Sequence, residues 1–506
     1  MKNINNFILN FSQIIASLMV VIAVSSCNSW DDHYEQLDTR LESDIITVLS
    51  EDSNYSTFLS LLQQTDYKDF LKTSQAYTVW APNNAALAQV SDDILNDPDM
   101  LKQLVENHIS RNSYNSSNLD TPLFVKMFNN KYIEFTNAGG STSFGGVELI
   151  EKDVLTANGI LHKIGTTLTV RPNIWAYLNE NSDDFLSLME YFNQFNETVF
   201  DEPNSVRVGR NSLGQIVYDS VFKTSNKRFD SIGDLSSEEE RFTFIGLTDA
   251  VYTDVFNSLK GYFQYPVEDS IKSVTDKVIF NNLNFPVIDS DELDGTELLT
   301  TTDNLVTINK ASIAEEHELS NGNLFVMNQY DLAPKNVAYK PVRYEIENIE
   351  RREIGSLVDL TISSRFNSLA SGGFTNVVDL LNSPDGNDGN NYFEVAFENV
   401  LSASYTINLK FTPVGAPQQT KLKFEFSYVD ENKNTVVDEI DAITVSHLED
   451  GIISIGGTYD IPVYINEEND NEYSVKLKVI VDVSDAETIL YSRRFGIDYA
   501  ELVPVD

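Results

Sequence analysis

The spacing of apolar positions changes along this chain and predicts two kinds of structure. In the N-terminal part, apolar residues recur three and four positions apart, as at Phe58, Leu61 and Leu62, which predicts helices with one buried face. Over residues 341–506 they alternate with polar residues, as in segment 475–481, which predicts antiparallel strands. We therefore expect an α+β chain that ends in an all-β sandwich.

The first 26 residues have the pattern of a signal peptide. They carry one charged side chain, Lys2, and an apolar stretch from Ile14 to Val24. As a helix this stretch would rise about 16 Å, whereas the hydrocarbon core of a bilayer is about 30 Å thick. The stretch is too short to span a membrane, and it predicts a signal peptide over residues 1–26.

This segment is followed by Cys27, the single cysteine of the chain. The preceding Val24-Ser25-Ser26 resembles a bacterial lipobox. The resemblance implies that the Cys27 thiol carries a diacylglycerol and that the protein contacts the membrane through this lipid. An ordinary signal peptide that contains a cysteine is the alternative. The acidic tether over residues 27–39 resembles that of Bacteroidota surface lipoproteins, which implies the outer membrane, facing outside the cell; a solvated acidic linker is the alternative.

The charge of the chain restricts its partners. Thirty-five Lys and Arg residues stand against 77 Asp and Glu residues, which gives a net charge of −42. A field of this sign repels phosphate groups, so we expect no nucleic-acid partner and no binding to an anionic membrane surface.

Four ordered segments within residues 40–172 carry a family resemblance. They are the apolar run 77–87 with Ala-Pro inside it, the helical segment 101–109, strand-like segments at 129–135 and 146–150, and segment 153–168 with its Asn-Gly turn. Together they resemble a fasciclin domain, which implies an α+β fold.

Two histidines in this part, His108 and His162, are candidates for chemistry. A histidine becomes a metal ligand only where carboxylates or other histidines converge on it, and no such cluster is predicted beside either residue. The fasciclin resemblance implies that both are buried, hydrogen-bonded structural residues.

Residues 173–338 resemble a second, divergent fasciclin-like domain. Segment 241–252 aligns with the first signature and segment 321–332 with the closing one, where Phe325 stands in the place of His162. The helix that bears a histidine in the first copy becomes segment 275–284, which has none. An insertion at 205–229 predicts a hairpin around Asn211-Ser-Leu-Gly214.

Residues 341–506 resemble a galactose-binding-like jelly roll, which implies either a sugar-binding module or an inert spacer. The resemblance rests on segment 392–397 and on the closing segment 494–504 with Ile-Asp-Tyr-Ala-Glu-Leu. Sugar binding requires an aromatic platform and polar groups for hydroxyls. The predicted ligand-binding residues are Tyr392, Asp385, Asn387, Asp388 and Tyr473, which belong to two polar loops and their flanks.

Neither a catalytic motif nor a metal motif is found. Serine-hydrolase, zinc-protease and phosphate-loop signatures are absent, and the five histidines have no metal spacing. The best calcium-like loop, 430–441, has Thr435 where the sharp turn requires glycine, so a hairpin between strands is preferred. We expect no enzyme activity, no cofactor and no metal.

These observations favour a binding protein: a surface lipoprotein for adhesion or glycan capture, with polysaccharide as ligand and a TonB-dependent outer-membrane transporter as partner. The alternative is a structural spacer or complex subunit without a ligand of its own, and an enzyme ranks third. Exposed aromatic loops would favour binding, whereas uniformly polar loops would favour the spacer.

The lipid attachment can be tested by substitution. Because Cys27 carries the only thiol, Cys27→Ala should leave the protein unlipidated and release it from membrane fractions. Detergent-free fractionation measures this release. Membrane retention of the thiol-less, normally cleaved protein would contradict the lipoprotein assignment. Substituting Asp31 and Asp32 is the matched control, since it should alter surface display, measured by protease shaving, and leave attachment intact.

Overall fold

A computed structural model describes residues 42–72, 75–119, 121–138, 140–332, 334–381, 391–466, 469–470 and 472–505. The predicted signal peptide, Cys27 and the acidic tether lie outside these residues. The chain forms two compact units. The first contains residues up to Asn173 together with Ser237–Glu239 and Leu319–Asn321, and the second contains Ile174–Ser236, Glu240–Glu318 and Gly322–Asp506.

The first unit is a layer of helices on a mixed sheet. Its helices are α1 (Ile45–Ser50), α2 (Ser56–Gln64), α3 (Tyr67–Phe70), α4 (Asn84–Leu87), α5 (Asp92–Asn96) and α6 (Pro98–Glu106). Its strands are β1 (Tyr77–Pro82), β2 (Ile109–Arg111), β3 (Leu123–Lys126), β4 (Tyr132–Ala138), β5 (Ser141–Phe144), β6 (Val147–Thr156) and β7 (Gly159–Ile164). The sheet order is β2-β1-β7-β6-β5-β4-β3, and β1 and β7 run parallel.

Strand β1 lies at the centre of this unit because both of its faces are buried. Tyr77, Val79 and Ala81 belong to one hydrophobic cluster, which the helices cover. Trp80 points to the opposite face and belongs to a second cluster with Phe135 and others. A strand covered on both faces reads as a continuous apolar run, which explains the sequence Tyr-Thr-Val-Trp-Ala-Pro.

The second unit repeats this plan and then adds the sandwich. Its helices are α7 (Ile174–Glu180), α8 (Leu186–Asn193), α9 (Phe229–Ile232), α10 (Asp249–Leu259), α11 (Glu268–Asn281) and α12 (Pro334–Val337). The strands of the repeated part are β8 (Asn196–Phe200), β9 (Val206–Arg210), β10 (Ile216–Asp219), β11 (Phe222–Asn226), β12 (Phe242–Leu247), β13 (Asn284–Pro286), β14 (Asp294–Leu299), β15 (Leu305–Asn309), β16 (Ile313–Leu319) and β17 (Gly322–Met327). Four of them form a sheet in the order β13-β12-β17-β16, while β8–β11, β9–β10 and β14–β15 are separate pairs.

The register of the central parallel pair is the same in both copies. Tyr77 lies opposite Gly159 in the first copy, and Phe242 lies opposite Gly322 in the second. Three positions further on, Trp80 faces His162 and Ile245 faces Phe325, so Phe325 occupies the place that the sequence alignment predicts.

The remaining strands form two antiparallel sheets. They are β18 (Val342–Glu345), β19 (Arg352–Ile354), β20 (Leu360–Phe366), β21 (Phe374–Leu380), β22 (Tyr392–Phe397), β23 (Ser404–Thr412), β24 (Thr420–Val429), β25 (Thr435–Val445), β26 (Gly451–Asp460), β27 (Val475–Val481) and β28 (Arg494–Pro504). One sheet has the order β20-β21-β28-β23-β26 with β18 added to β28, and the other has the order β19-β22-β27-β24-β25. The predicted fold class, α+β with two fasciclin-like domains and a terminal all-β sandwich, is confirmed.

Backbone contacts join the second copy to the sandwich within one unit. The Ser402 N–H donates to the Tyr262 carbonyl at 3.0 Å, and the Tyr464 N–H donates to the Gln264 carbonyl at 2.9 Å. The ring of Phe263 meets that of Tyr464 edge-on at 5.3 Å. In the part of the chain that the structure describes, no helix is long and apolar enough to cross a membrane.

The close parallel pairing of β12 with β17 predicts that adding one methyl group at Gly322 strongly destabilises the fold. A Cβ at Gly322 would lie 1.8 Å from the Phe242 carbonyl oxygen, and the residue has a φ of +138°. Gly322→Ala should therefore lower the free energy of unfolding by on the order of 3–5 kcal/mol, measured by urea denaturation. Gly457→Ala is the control, because nothing lies within 4 Å of its added Cβ. Equal stability of the two variants would contradict this account.

Candidate functional site

Two of the five predicted ligand-binding residues, Tyr392 and Tyr473, belong to the described part of the sandwich. Asp385, Asn387 and Asp388 lie outside the described residues. Tyr392 is the first residue of β22 and is half-buried. The Lys478 ammonium lies 4.4 Å from the centre of the Tyr392 ring, so one face of this ring is already covered.

Tyr473 does not offer the platform that the sequence suggests. Its side chain is 3% exposed, and it precedes the buried residues Val475 and Leu477 at the same alternating parity. The ring is therefore directed into the core, where a sugar cannot stack on it. The expectation that Tyr473 is an accessible ligand residue is wrong for this reason.

Tyr392 and Tyr473 lie towards opposite ends of one sheet. Tyr392 pairs with Ile480 and Phe397 with Val475, and Tyr473 lies beyond the Val475 end. At about 3.4 Å per residue, these two ends are roughly 17 Å apart or more. A single site that contains both tyrosines is therefore not formed.

A polar groove lies elsewhere on the sandwich, between β18 and the end of β22. It encloses about 450 Å³. The side chains and backbone that line it include Pro341, Arg343, Tyr344, Glu345, Asn348, Arg351, Phe397 and Glu398. We call this feature the sandwich groove.

Two arginines of the sandwich groove are held in fixed orientations. The Arg343 guanidinium lies 3.8 Å from the ring centre of Tyr499 and donates to Glu501 at 2.9 and 3.0 Å. Arg351 pairs with Glu398 and, at 2.7 Å, with Asp470. Guanidinium groups fixed in this way present rigid N–H donors, which suits the recognition of hydroxyl and carbonyl oxygens.

Three carboxylates gather beside this groove. Glu345, Glu347 and Asp498 each offer an oxygen within 4.8 Å of the others. Ser371 donates its backbone N–H to Asp498 at 2.8 Å and its hydroxyl to Glu345 at 2.7 Å, and Asn376 donates to Glu347 at 3.2 Å. Burial raises the pKa of both Asp498 and Glu345.

This carboxylate cluster has the donor chemistry that a hard cation requires. Calcium takes carboxylate and carbonyl oxygens in flexible geometry, and a cation would offset the cost of burying Asp498. No signal in the sequence points to this cluster, because Glu345 ends β18 and Glu347 lies in the turn that follows it. Asp498 could not be added, because its proximity depends on the pairing of β18 with β28.

The calcium-like loop considered from the sequence is a hairpin. β24 and β25 pair on either side of it. The Asp430 carboxylate accepts backbone N–H bonds from Asn432 at 2.9 Å and Asn434 at 2.7 Å, so it closes the turn. These bonds hold the pKa of Asp430 below its usual range.

His108 lies in the core just after α6, which ends at Glu106, and is 1% exposed. Its Nδ1 lies 2.7 Å from the Leu104 carbonyl, and its Nε2 lies 3.1 Å from the Leu168 N–H. Nδ1 therefore donates and Nε2 accepts, which requires the neutral ring. Burial lowers the pKa of His108 to about 4.

His162 is similarly enclosed. Its Nε2 lies 2.9 Å from the Tyr114 carbonyl, and its Nδ1 accepts the Asp153 N–H at 3.2 Å. The ring stacks on Trp80 at 5.4 Å. Burial lowers the pKa of His162. Both rings thus have two backbone partners, which leaves no nitrogen for a ligand.

Both histidine positions are apolar in the second copy. The Trp80 N–H donates to the His108 carbonyl, and the equivalent Ile245 N–H donates to the Leu283 carbonyl. Leu283 therefore occupies the position of His108, as Phe325 occupies that of His162.

Comparison with known proteins finds similarity in parts of this chain. The family model of the fasciclin domain matches residues 53–170. The ig-h3 protein induced by transforming growth factor-beta from Sus scrofa is 23% identical over 139 residues, which are 26% of this chain and 20% of that protein. Human periostin is 22% identical over 141 residues, which are 27% of this chain and 17% of periostin. The chain spans about one fifth of the length of these curated relatives.

Two solved structures are similar to parts of the chain. A pair of FAS1 domains from the insect cell adhesion molecule fasciclin I has a TM-score of 0.25 and 17% identity, and the match covers 57% of this chain and 99% of that one. The CBM22-2 xylan-binding domain of Paenibacillus barcinonensis Xyn10C has a TM-score of 0.23 and 9% identity, with 33% and 100% covered.

The pKa of His108 predicts a pH dependence of stability. Its pKa of about 4 in the fold lies below the ordinary value of 6.5, so the unfolded chain binds the proton more readily between these values. The stabilisation is complete above pH 6.5 and falls by roughly 3 kcal/mol as the pH drops towards 4. His108→Ala should reduce this slope.

The same variant should lower the unfolding free energy at pH 7 by about 2–4 kcal/mol, because it leaves a cavity and two unpaired backbone groups. Urea denaturation at several pH values measures both effects, with His447→Ala on the sandwich as the control. Loss of ligand binding by His108→Ala without loss of stability would show that His108 serves a site.

Proposed function

We propose that this chain is a non-catalytic surface lipoprotein that binds glycan and mediates adhesion. The observation that carries the proposal is the sandwich groove, in which Arg343 and Arg351 are fixed by carboxylates and by Tyr499. Its volume of about 450 Å³ is within the range of small-ligand sites.

The chemistry of the sandwich groove suits hydroxyl groups. Glu345 and Glu398 supply acceptors, and the arginines and the Asn348 side-chain amide supply donors, while the Asn348 side-chain oxygen accepts the Glu350 N–H at 3.0 Å. The net charge of −42 disfavours polyanions, so a neutral polysaccharide is the ligand class we favour.

The anchoring part of the proposal rests on sequence alone. Cys27 and the acidic tether support lipid attachment to the outer membrane, facing outside the cell. A protein that captures polysaccharide at that surface would pass it to a TonB-dependent glycan transporter, which is the partner we propose.

A second candidate function is that of a subunit in an outer-membrane complex. Leu357, Val358 and Leu381 are each more than 60% exposed, and the backbone of Leu381 is bonded to Asp359. Large apolar side chains that cluster on a surface favour a protein contact.

The test uses the full chain made soluble by Cys27→Ala, titrated calorimetrically with soluble starch, mannan, xylan and levan. Dissociation constants from millimolar to tens of micromolar are expected. Asn348→Ala should weaken binding about tenfold, because it removes a hydrogen-bonding side chain from the sandwich groove.

Glu439→Gln is the control, because Glu439 is exposed on β25 outside the sandwich groove and pairs with Lys423. If the intact chain binds no polysaccharide, glycan binding is wrong and the complex-subunit function replaces it. If Asn348→Ala and Glu439→Gln both bind like the parent chain, the groove is not the site.

A further inference from the structure

The insertion in the second fasciclin-like copy is longer than the predicted hairpin. β8 pairs antiparallel with β11, and β9 pairs antiparallel with β10. Neither pair has a third strand in the part of the chain that the structure describes. A two-stranded ribbon is marginally stable in water, so large apolar side chains exposed on it require an explanation.

The two halves of this ribbon are joined by a fixed bend. The Asp201 N–H donates to the Val221 carbonyl at 2.9 Å. The Ser205 hydroxyl donates to the Asp201 carbonyl at 2.7 Å and accepts the Val221 N–H at 2.8 Å. These bonds fix the orientation of the β8–β11 pair relative to the β9–β10 pair.

Three aromatic rings line one face across the bend. Phe200 lies directly opposite Phe222 in the strand register, with ring centres 6.1 Å apart. The Tyr218 ring lies 5.1 Å from that of Phe200. Phe200 is 41% exposed and Phe222 is 60% exposed, while Tyr218 is half-buried. We call these three residues the aromatic strip.

Charged groups hold the tyrosine end of the aromatic strip in place. The Tyr218 hydroxyl donates to Glu202 at 2.5 Å, and Arg207 donates to the same carboxylate at 3.2 Å. The Arg207 guanidinium lies 5.7 Å from the Tyr218 ring centre. The pair Arg207–Glu202 carries no net charge, and it offers hydrogen-bonding groups beside the rings.

We propose that the aromatic strip binds a neutral polysaccharide chain. Aromatic faces pack against apolar C–H surfaces, and the adjacent Glu202 and Arg207 provide the acceptor and donors that hydroxyl groups need. Neighbouring rings stand edge-on, with their planes inclined at 67° and 66°, so a sugar would stack on Phe222, the most exposed of the three, and pack against the edges of the other two. The balanced ion pair matches a ligand without charge, whereas the net charge of −42 opposes a polyanion.

A protein contact is less well matched to this surface. It would bury Glu202 and Arg207, whose side chains are 57% and 65% exposed, and the desolvation of such a pair offsets most of what the pair contributes. A glycan leaves charged groups hydrated at its edges while it covers the rings. The inference rests on the proposed function for the class of ligand, and it assigns a second contact outside the sandwich groove.

The experiment uses the full chain with Cys27→Ala, titrated with soluble starch, mannan, xylan and levan. Phe222→Leu should weaken binding about tenfold, whereas Phe222→Tyr should retain it, because stacking needs a ring and not only apolar area. Val206→Ala is the matched control: it lies on the same ribbon, is 64% exposed, and adjoins Arg207 on the opposite face. Thermal unfolding verifies that each variant is folded.

The outcomes separate this inference from the proposed function. If the parent chain binds a polysaccharide and Phe222→Leu binds it equally well, the aromatic strip is not a glycan contact and the proposed function stands. If the parent chain binds none, both fail. If the parent chain self-associates in sedimentation velocity and Phe222→Leu abolishes this, the strip is a contact between protein chains and the inference is overturned.

Discussion

Both fasciclin-like copies depend on the close parallel pairing of two strands at their first residues, β1 with β7 in the first copy and β12 with β17 in the second. A Cβ at Gly159 would lie 1.8 Å from the Tyr77 carbonyl oxygen, so the backbones can approach only because no side chain intervenes. Asn158 completes the arrangement: its side-chain oxygen accepts the Ile45 N–H at 3.0 Å, and its side-chain amide donates to the Leu71 carbonyl. The start of β7 is thereby tied to the helical layer as well as to β1.

The two copies differ in how they fill the space around this pair. In the first copy, His108 and His162 each join two backbone groups that secondary structure leaves unpaired. In the second copy, Leu283 and Phe325 fill the corresponding positions with apolar groups. Buried polar groups require partners, so backbone groups at the corresponding positions of the second copy cannot rely on an imidazole and need other partners.

Much of the fold followed from periodicity, because strands buried on one face alternate and helices do not. The same rule could have excluded Tyr473, which shares the parity of the buried residues Val475 and Leu477. The Asn-Gly turn was predicted at the right place. The strands pair Thr156 with Gly159, so the loop consists of Ala157 and Asn158. Gly159 is the first residue of β7 and allows the close approach of β7 to β1. The groove and the carboxylate cluster could not be predicted, since they join residues distant in sequence through strand pairings such as that of β18 with β28.

At Gly159 and Gly322, the backbone of the facing strand occupies the space that a side chain would need. The contact persists in the second copy although both histidine positions around it are filled by apolar residues. Between these two copies, the pairing is kept by the absence of a side chain at the glycine and not by the histidines. Diverged copies are better recognised by an Asn-Gly placed at the start of a closing strand than by the histidines around it.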